Sequence, residues 1–155
     1  MDDRTAETIN LLAGRGSSGN PVYEEVLVER RSGQQYKLLR SPGLVLGIAA
    51  DDVIAVVGDG TYDVLERGGN LCIQIFARGD LTVLEETATE KLMPLRGRLD
   101  GKAKTQLVYT IPVTAGFPAV ESVLNELVAQ APGAEWYYGN VYDTSDGVTP
   151  LNWWT

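Results

Sequence analysis

The residues able to do chemistry in this chain are few. It has no histidine, which removes Ser-His and Cys-His nucleophilic mechanisms and every histidine-bearing metal site. Cys72 is the single cysteine. It cannot close an intrachain disulfide or build a structural zinc site, and among Leu71, Ile73 and Ile75 it reads as a small buried hydrophobe. Carboxylates are abundant, and acid–base catalysis would need two of them to converge. Asp51-Asp52 and Asp59 with Asp63 are the candidate pairs. Neighbours on a strand point to opposite faces, so Asp51 and Asp52 would not meet. Asp59 lies in a Gly-Asp-Gly turn, where aspartate belongs for backbone reasons. The chain is therefore expected not to be an enzyme, and to use no cofactor and no metal.

Two stretches imitate ligand-binding motifs. Gly14-Arg-Gly-Ser-Ser-Gly19 spells G-x-G-x-x-G, but that loop needs a strand before it and a helix after it. Here a short helix over Asp2–Ala13 is the expected predecessor and Pro21 follows, so the stretch is expected to be a flexible linker. Asp143-Thr-Ser-Asp-Gly147 has some look of a calcium loop. With Gly147 at loop position six, Tyr142 and Trp153 fall at positions one and twelve, which require acidic ligands. A solvated turn is expected instead.

Binding is the chemistry that remains. The formal net charge is −8, from 21 acids against 13 Lys and Arg. Nucleic acid needs a basic footprint, and an anionic membrane surface would repel this chain, so neither is an expected partner. A basic protein would be attracted. Glu85, Glu86 and Glu90 cluster where a helix is expected, and Asp59 and Asp63 lie at a hairpin. Trp136, Tyr138, Trp153 and Trp154 are aromatics of the kind that anchor interfaces. These nine residues form the expected partner-binding set. No run approaches the ~18 apolar residues of a membrane span. Met1-Asp2-Asp3-Arg4 lacks the apolar stretch of a signal peptide, and a lone cysteine fits a reducing compartment. A cytoplasmic location is expected.

Periodicity supplies the elements that position these residues. Short β runs begin at Val22. They include Val26-Leu27-Val28, Tyr36 to Leu39, and Val53 to Val57, which turns at Gly58-Asp59-Gly60 into Thr61 to Leu65. Leu71 to Phe76 is apolar on both faces, as a central strand should be. Leu81, Leu84, Ala88, Leu92 and Leu95 recur at helical spacing behind Asp80, a good N-cap. Asp100-Gly101 signals a hairpin, Thr105 to Val113 a strand, and Pro118 the first turn of a second helix lined by Val120, Leu124, Leu127 and Ala131. Glu135 to Tyr142 is the last strand. The expected class is α+β: a ferredoxin-like (βαββαβ) half over 70–143, preceded by a small β-meander or barrel-like module over 22–69. A flexible arm, 1–21, and a tail, 144–155, complete the chain.

The body from Val22 to Tyr142 resembles the bacterial domain-of-unknown-function family 4265. The likeness rests on Glu25-Val26-Leu27-Val28, Tyr36-Lys37-Leu38, Gly47-Ile48, Asp52-Val53, Asp59-Gly60, Val64 to Gly69, Thr110-Ile111-Pro112-Val113 and Glu135-Trp136-Tyr137-Tyr138. The family's first-strand tryptophan is absent, with Val28 near its place, and its Pro-aromatic-aromatic segment is Pro42-Gly43-Leu44 here. The resemblance implies the fold order and no established chemistry. By analogy, small bacterial domains of this kind look like immunity partners of toxins. The leading expectation is a non-catalytic protein-binding module, an immunity-type inhibitor that occludes a basic toxin domain. The alternative is a small-molecule sensor with a pocket between the β-module and the ferredoxin-like half.

Overall fold

Two antiparallel sheets and two helices account for the chain, described over residues 6–155 of a computed structural model. The first sheet is a meander of β1 (Ala6–Arg15), β2 (Pro21–Ser32), β3 (Gln35–Leu38), β4 (Val53–Gly58) and β5 (Thr61–Glu66), adjacent in that order. The helix expected near the N-terminus is corrected over the described residues, as is the flexible arm. Residues 6–15 form β1, paired with β2 from Ala6↔Glu29 to Arg15↔Pro21; residues 2–5 of the expected helix lie outside the described residues. Ile9, Leu11 and Ala13 alternate with Thr8 and Asn10 and turn one face inward, where Leu11 is wholly buried. The supposed linker is the β1–β2 connection. It is tied by Gly16 N–H to Asn20 O at 2.8 Å and Gly19 N–H to Gly16 O at 2.9 Å.

The meander curls toward closure. Leu12 N–H donates to Gly60 O at 2.9 Å, joining β1 to the β4–β5 turn. Gly60 has φ of 82°, and a Cβ there would stand 2.9 Å from both Leu12 N and Tyr23 Cε1, so only glycine fits. Leu11, Val26, Val28, Tyr36, Leu38, Val45, Ile48 and Ile54 fill the interior.

The second sheet holds β6 (Asn70–Phe76), β7 (Arg98–Ala103), β8 (Gln106–Pro112) and β9 (Glu135–Tyr138). Its order is β7-β8-β6-β9, with every neighbouring pair antiparallel. Helix α1 (Thr82–Leu92) joins β6 to β7, and α2 (Phe117–Ala129) joins β8 to β9. Both helices pack on the face that carries Leu71, Ile73, Ile75, Leu107, Tyr109 and Ile111, through Ala88, Leu92, Val120, Leu124 and Leu127. Asp80 lies just ahead of the cap residue Leu81, and its Oδ1 accepts the Thr82 N–H at 2.9 Å. The turn expected at Asp100-Gly101 is instead a bulge inside β7, between Leu99 and Gly101. The same small and polar residues suit either device. The last strand stops at Tyr138 and the chain bends at Gly139, so Val141 and Tyr142 lie beyond it.

The helix-free face of the second sheet is covered by the β3–β4 connection, residues 39–52. Ala49 packs with Cys72 and Val108, and the rest of the contact is polar. Ser41 Oγ meets Thr110 Oγ1 at 2.6 Å, Ser41 N–H donates to Asp100 Oδ2 at 2.9 Å, and Asn70 Nδ2 donates to Ala50 O at 3.0 Å. Glu24 of β2 holds the same connection from the other side. Its carboxylate accepts the N–H groups of Gly43, Leu44 and Val45, each at 2.8 Å. Removing an acceptor shared by three N–H groups leaves donors that are partly shielded from water. Glu24→Ala should therefore cost about 2 kcal/mol in urea unfolding, with Glu24→Gln intermediate. A loss below ~0.5 kcal/mol for the alanine variant, the size of an ordinary surface change, would show that the connection holds without it.

Candidate functional site

The converging carboxylates are interior and already occupied. Asp52 accepts Ala49 N–H at 3.0 Å, Gly68 N–H at 2.8 Å and Arg67 Nη1 at 3.3 Å. Burial nevertheless pushes its carboxyl above the usual range, against the downward pull of those donors. Asp100 accepts Ser41 N–H, the Thr110 hydroxyl at 2.5 Å and Arg98 Nε at 3.0 Å. With Glu24, these acids serve the fold: each accepts three hydrogen bonds from the protein. Cys72 is fully buried, its thiol pushed up to about 12 by desolvation, and it donates toward Pro42 O at 3.5 Å. Among the described residues, no group of His, Cys, Asp and Glu is placed to hold a metal ion. None of their helices is long and apolar enough to cross a membrane.

The expected partner-binding residues separate into three places. Asp59 and Asp63 sit on the β4–β5 hairpin of the first sheet, both exposed. Glu85, Glu86 and Glu90 lie on α1, where Glu85 is drawn into an ion pair with Lys102 Nζ at 2.7 Å. Glu86 and Glu90 are exposed and pair with no cation among the described residues. The four aromatics come together. Trp136 and Tyr138 meet edge-to-face at 4.9 Å, Tyr138 and Phe117 at 5.7 Å, Phe117 and Trp154 at 5.1 Å, and Trp154 and Trp153 at 5.4 Å.

This row fastens the C-terminal tail to the body. Trp153 Nε1 donates to Asn140 O at 2.8 Å, and the Arg67 guanidinium lies 5.7 Å from the Trp153 ring centroid. The Tyr138 hydroxyl donates to Glu121 Oε2 at 2.9 Å. Burial first, then that hydrogen bond, pushes the phenol well above the ordinary tyrosine value. Trp136 Nε1 donates to Asn125 Oδ1 at 2.8 Å.

The feature that residue-by-residue reading missed is the distribution of charge along the chain. All 13 Lys and Arg lie within residues 1–104, beside 16 of the 21 acids, for a net −3. Residues 105–155 hold Glu121, Glu126, Glu135, Asp143 and Asp146 with no cation, which is the other −5. That segment builds β8, α2, β9 and the tail, so the residues of the aromatic row come from a stretch with no cation of its own, and Arg67, from the first half of the chain, lies over the Trp153 ring. A separate crevice of about 360 Å³ opens between the first sheet and β7–β8, lined by Glu24, Glu25, Arg40, Asp100, Lys102 and Gln106 among others. No aromatic ring lines it.

With two sheets, two helices and this acidic surface, the molecule has a mixed α+β architecture. The chain belongs to the family described as Domain of unknown function (DUF4265), whose model matches residues 24–136. It is similar to a solved structure described as "Novel crystal structure of a hypothetical protein from Neisseria gonorrhoeae", at TM-score 0.62 and 13% identity over 90% of this chain and 96% of that one. At that identity the likeness concerns the fold alone. No curated protein matches the chain significantly.

Two outcomes follow for the tail. Trp154→Ala removes two edge-to-face contacts and a half-buried ring. It should cost about 2 kcal/mol in denaturant unfolding, and an unchanged midpoint would mean that the row does not hold the tail. Asp146 accepts the N–H groups of Val148 and Thr149, each at 2.9 Å, and also the Thr149 hydroxyl. These bonds, the Thr149 hydroxyl first, hold its carboxyl below the usual range. A depressed pKa contributes stability that is present above the unfolded value, ~3.9, and lost as pH falls through the lower folded one. The Val148 and Thr149 amide shifts should titrate with a midpoint below ~3.9, and a midpoint at or above it would contradict the turn geometry.

Proposed function

We propose that the protein is a non-catalytic module that binds a basic protein partner, and in its most specific form an immunity-type inhibitor that occludes a toxin domain. The observation that carries this reading is that residues 105–155 contribute five acids and no cation together with the row of aromatic rings, at which Arg67 is the cation in ring contact among the described residues. Helix α1 packs beside α2 and adds Glu86 and Glu90 to the same field. Such a field speeds and orients the approach of a cationic partner. The absence of catalysis is supported by the carboxylates of Glu24, Asp52 and Asp100, each of which already accepts three hydrogen bonds from the protein, including the two that line the crevice. A cytoplasmic location fits the single buried thiol.

We read the second sheet as ferredoxin-like. The order β9-β6-β8-β7, antiparallel throughout with α1 and α2 on one face, supports that reading. A second functional reading, a small-molecule sensor, is favoured by the crevice between the sheets. Its polar, ring-free lining would suit a small charged ligand better than an aromatic one.

The test is capture of a partner by the tagged protein, followed by kinetics with the wild type and with the triple variant Glu86→Lys, Glu90→Lys, Glu126→Lys. A basic protein bound at low salt should associate at least ten-fold more slowly at ~0.5 M salt, where exposed charges are screened. It should bind the triple variant at least ten-fold more weakly. Affinity indifferent to both changes would remove the electrostatic reading. No protein partner, with thermal stabilisation by a metabolite, would move the assignment to the crevice.

A further inference from the structure

At the far end of β9 a recess of about 330 Å³ is lined by Leu46, Gln74, Tyr137, Tyr142 and Asp143 among others. Its lining includes the Gln74 carboxamide and the Asp143 carboxylate, both able to accept hydrogen bonds. Gln74 is 4% exposed, and its Nε2 donates to Gly43 O at 3.1 Å. That carbonyl fixes which end of the carboxamide is nitrogen, so Oε1 is an acceptor, and it receives no hydrogen bond from the described residues. That oxygen keeps contact with solvent, so it is open to a donor that enters the recess. Asp143 is held ionised at one rim by the N–H and hydroxyl of Ser145. Tyr137 and Tyr142, 52% and 39% exposed, contribute ring surface, and Phe76 packs against the Tyr137 ring at 5.9 Å. No cation lines the recess.

The backbone beside it is open as well. β9 lies at the edge of its sheet, paired only with β6. Gly139 N–H donates to Cys72 O at 2.8 Å. The two-residue alternation of an antiparallel ladder then turns Tyr137 toward β6 and the backbone groups of Trp136 and Tyr138 outward. Those outward groups make no hydrogen bond among the described residues. A free edge is a template for another strand. A second copy is a poor occupant, because pairing two β9 edges would set against each other two surfaces from residues 105–155, which hold five acids and no cation.

We infer that an extended basic segment of the partner pairs with β9 and places a lysine or arginine side chain in this recess. There the cation lies against Tyr137 and Tyr142 and donates to Gln74 Oε1 and the Asp143 carboxylate. The inference rests on the proposed function and names the site and the chemistry of its partner.

The probes are the peptides acetyl-Val-Arg-Val-Arg-Val-amide and acetyl-Val-Glu-Val-Glu-Val-amide, titrated into the full chain and followed by amide NMR. The arginine peptide should shift Trp136, Tyr138 and residues 142–147, and the glutamate peptide should shift nothing. Tyr137→Ala, at an exposed position, and Gln74→Leu, which leaves Gly43 O its bond from Gln106 Nε2 at 2.8 Å, should each weaken the arginine peptide at least ten-fold. Shifts confined to α1 and α2, with both variants unaffected, would overturn the recess while leaving the acidic surface as the docking site. Capture of a basic protein without any peptide shift at β9 would do the same. Shifts at β9 that grow with protein concentration alone would assign the edge to a second copy and overturn the inference. Failure of both the peptide and every basic protein would remove the inference and the proposed function together.

Discussion

An antiparallel sheet with both helices on one face leaves its other face to be covered, and the rest of this structure depends on how that is done. Here the cover is irregular backbone, residues 39–52, laid over Cys72, Val108 and Thr110. Irregular backbone carries N–H groups that no ladder satisfies, and burying them unpaired is expensive. The chain meets this with three carboxylates. Glu24 takes the N–H groups of residues 43–45, Asp52 those of Ala49 and Gly68, and Asp100 that of Ser41. They come from three elements, so the contact also fixes the first sheet against the second. The closed acidic junction and the open acidic surface of α2, β9 and the tail therefore use the same residue types for opposite purposes.

Much of the fold was legible where one physical signal dominated. Leu71 to Phe76 reads as a central strand because it is apolar on both faces, and it is buried from Asn70 to Ile75. Both helices follow from three-and-four spacing, and Gly58-Asp59-Gly60 turns where its residues demand. The failures share a cause. Residues 6–13 carry few apolar groups, and Ile9, Leu11 and Leu12 fit a weak helix as well as a strand. Pairing with a long β2 decided the matter, and that contact is not local. Asp100-Gly101 is turn chemistry used for a bulge, because Asp100 must face inward to Ser41 and Thr110. Tyr142 was placed on the last strand because nothing in its side chain announces the bend at Gly139. A Cβ at Gly139 would stand 2.7 Å from Cys72 Sγ, a constraint visible only once β6 is alongside.

The residue types behind the proposed site were legible in the sequence, but not where the fold would place them. Acid and aromatic character pointed to a cationic protein, but the chosen acids scatter over a hairpin and one helix. Trp136, Tyr138, Trp153 and Trp154 converge only because Phe117, at the start of α2, bridges them. The stronger signal was available without any structure. A run of 51 residues at the C-terminal end, 105–155, holds five acids and no cation, which a whole-chain charge conceals. Gln74 could not have been found. Its importance rests on which of its two amide atoms Gly43 occupies, a matter of tertiary contact.

Separating structural from available acids also bears on what a charged partner can do. Glu24, Asp52 and Asp100 already accept backbone donors, and Asp52 and Asp100 also pair with Arg67 and Arg98, so their charge is committed within the fold. Glu86, Glu90 and Glu126 are exposed and pair with no cation among the described residues, so docking a cation there breaks no internal bond. The long-range field comes from both sets, but short-range affinity can come only from the second. In the proposed docking at β9 these terms would meet: the field would draw a basic segment in, the open edge would supply directional backbone pairing, and the tyrosine-lined recess would reward one side chain over others. A surface with the field alone would bind cationic proteins loosely and without choice; the unpaired edge and the open Gln74 oxygen are what would let this one select.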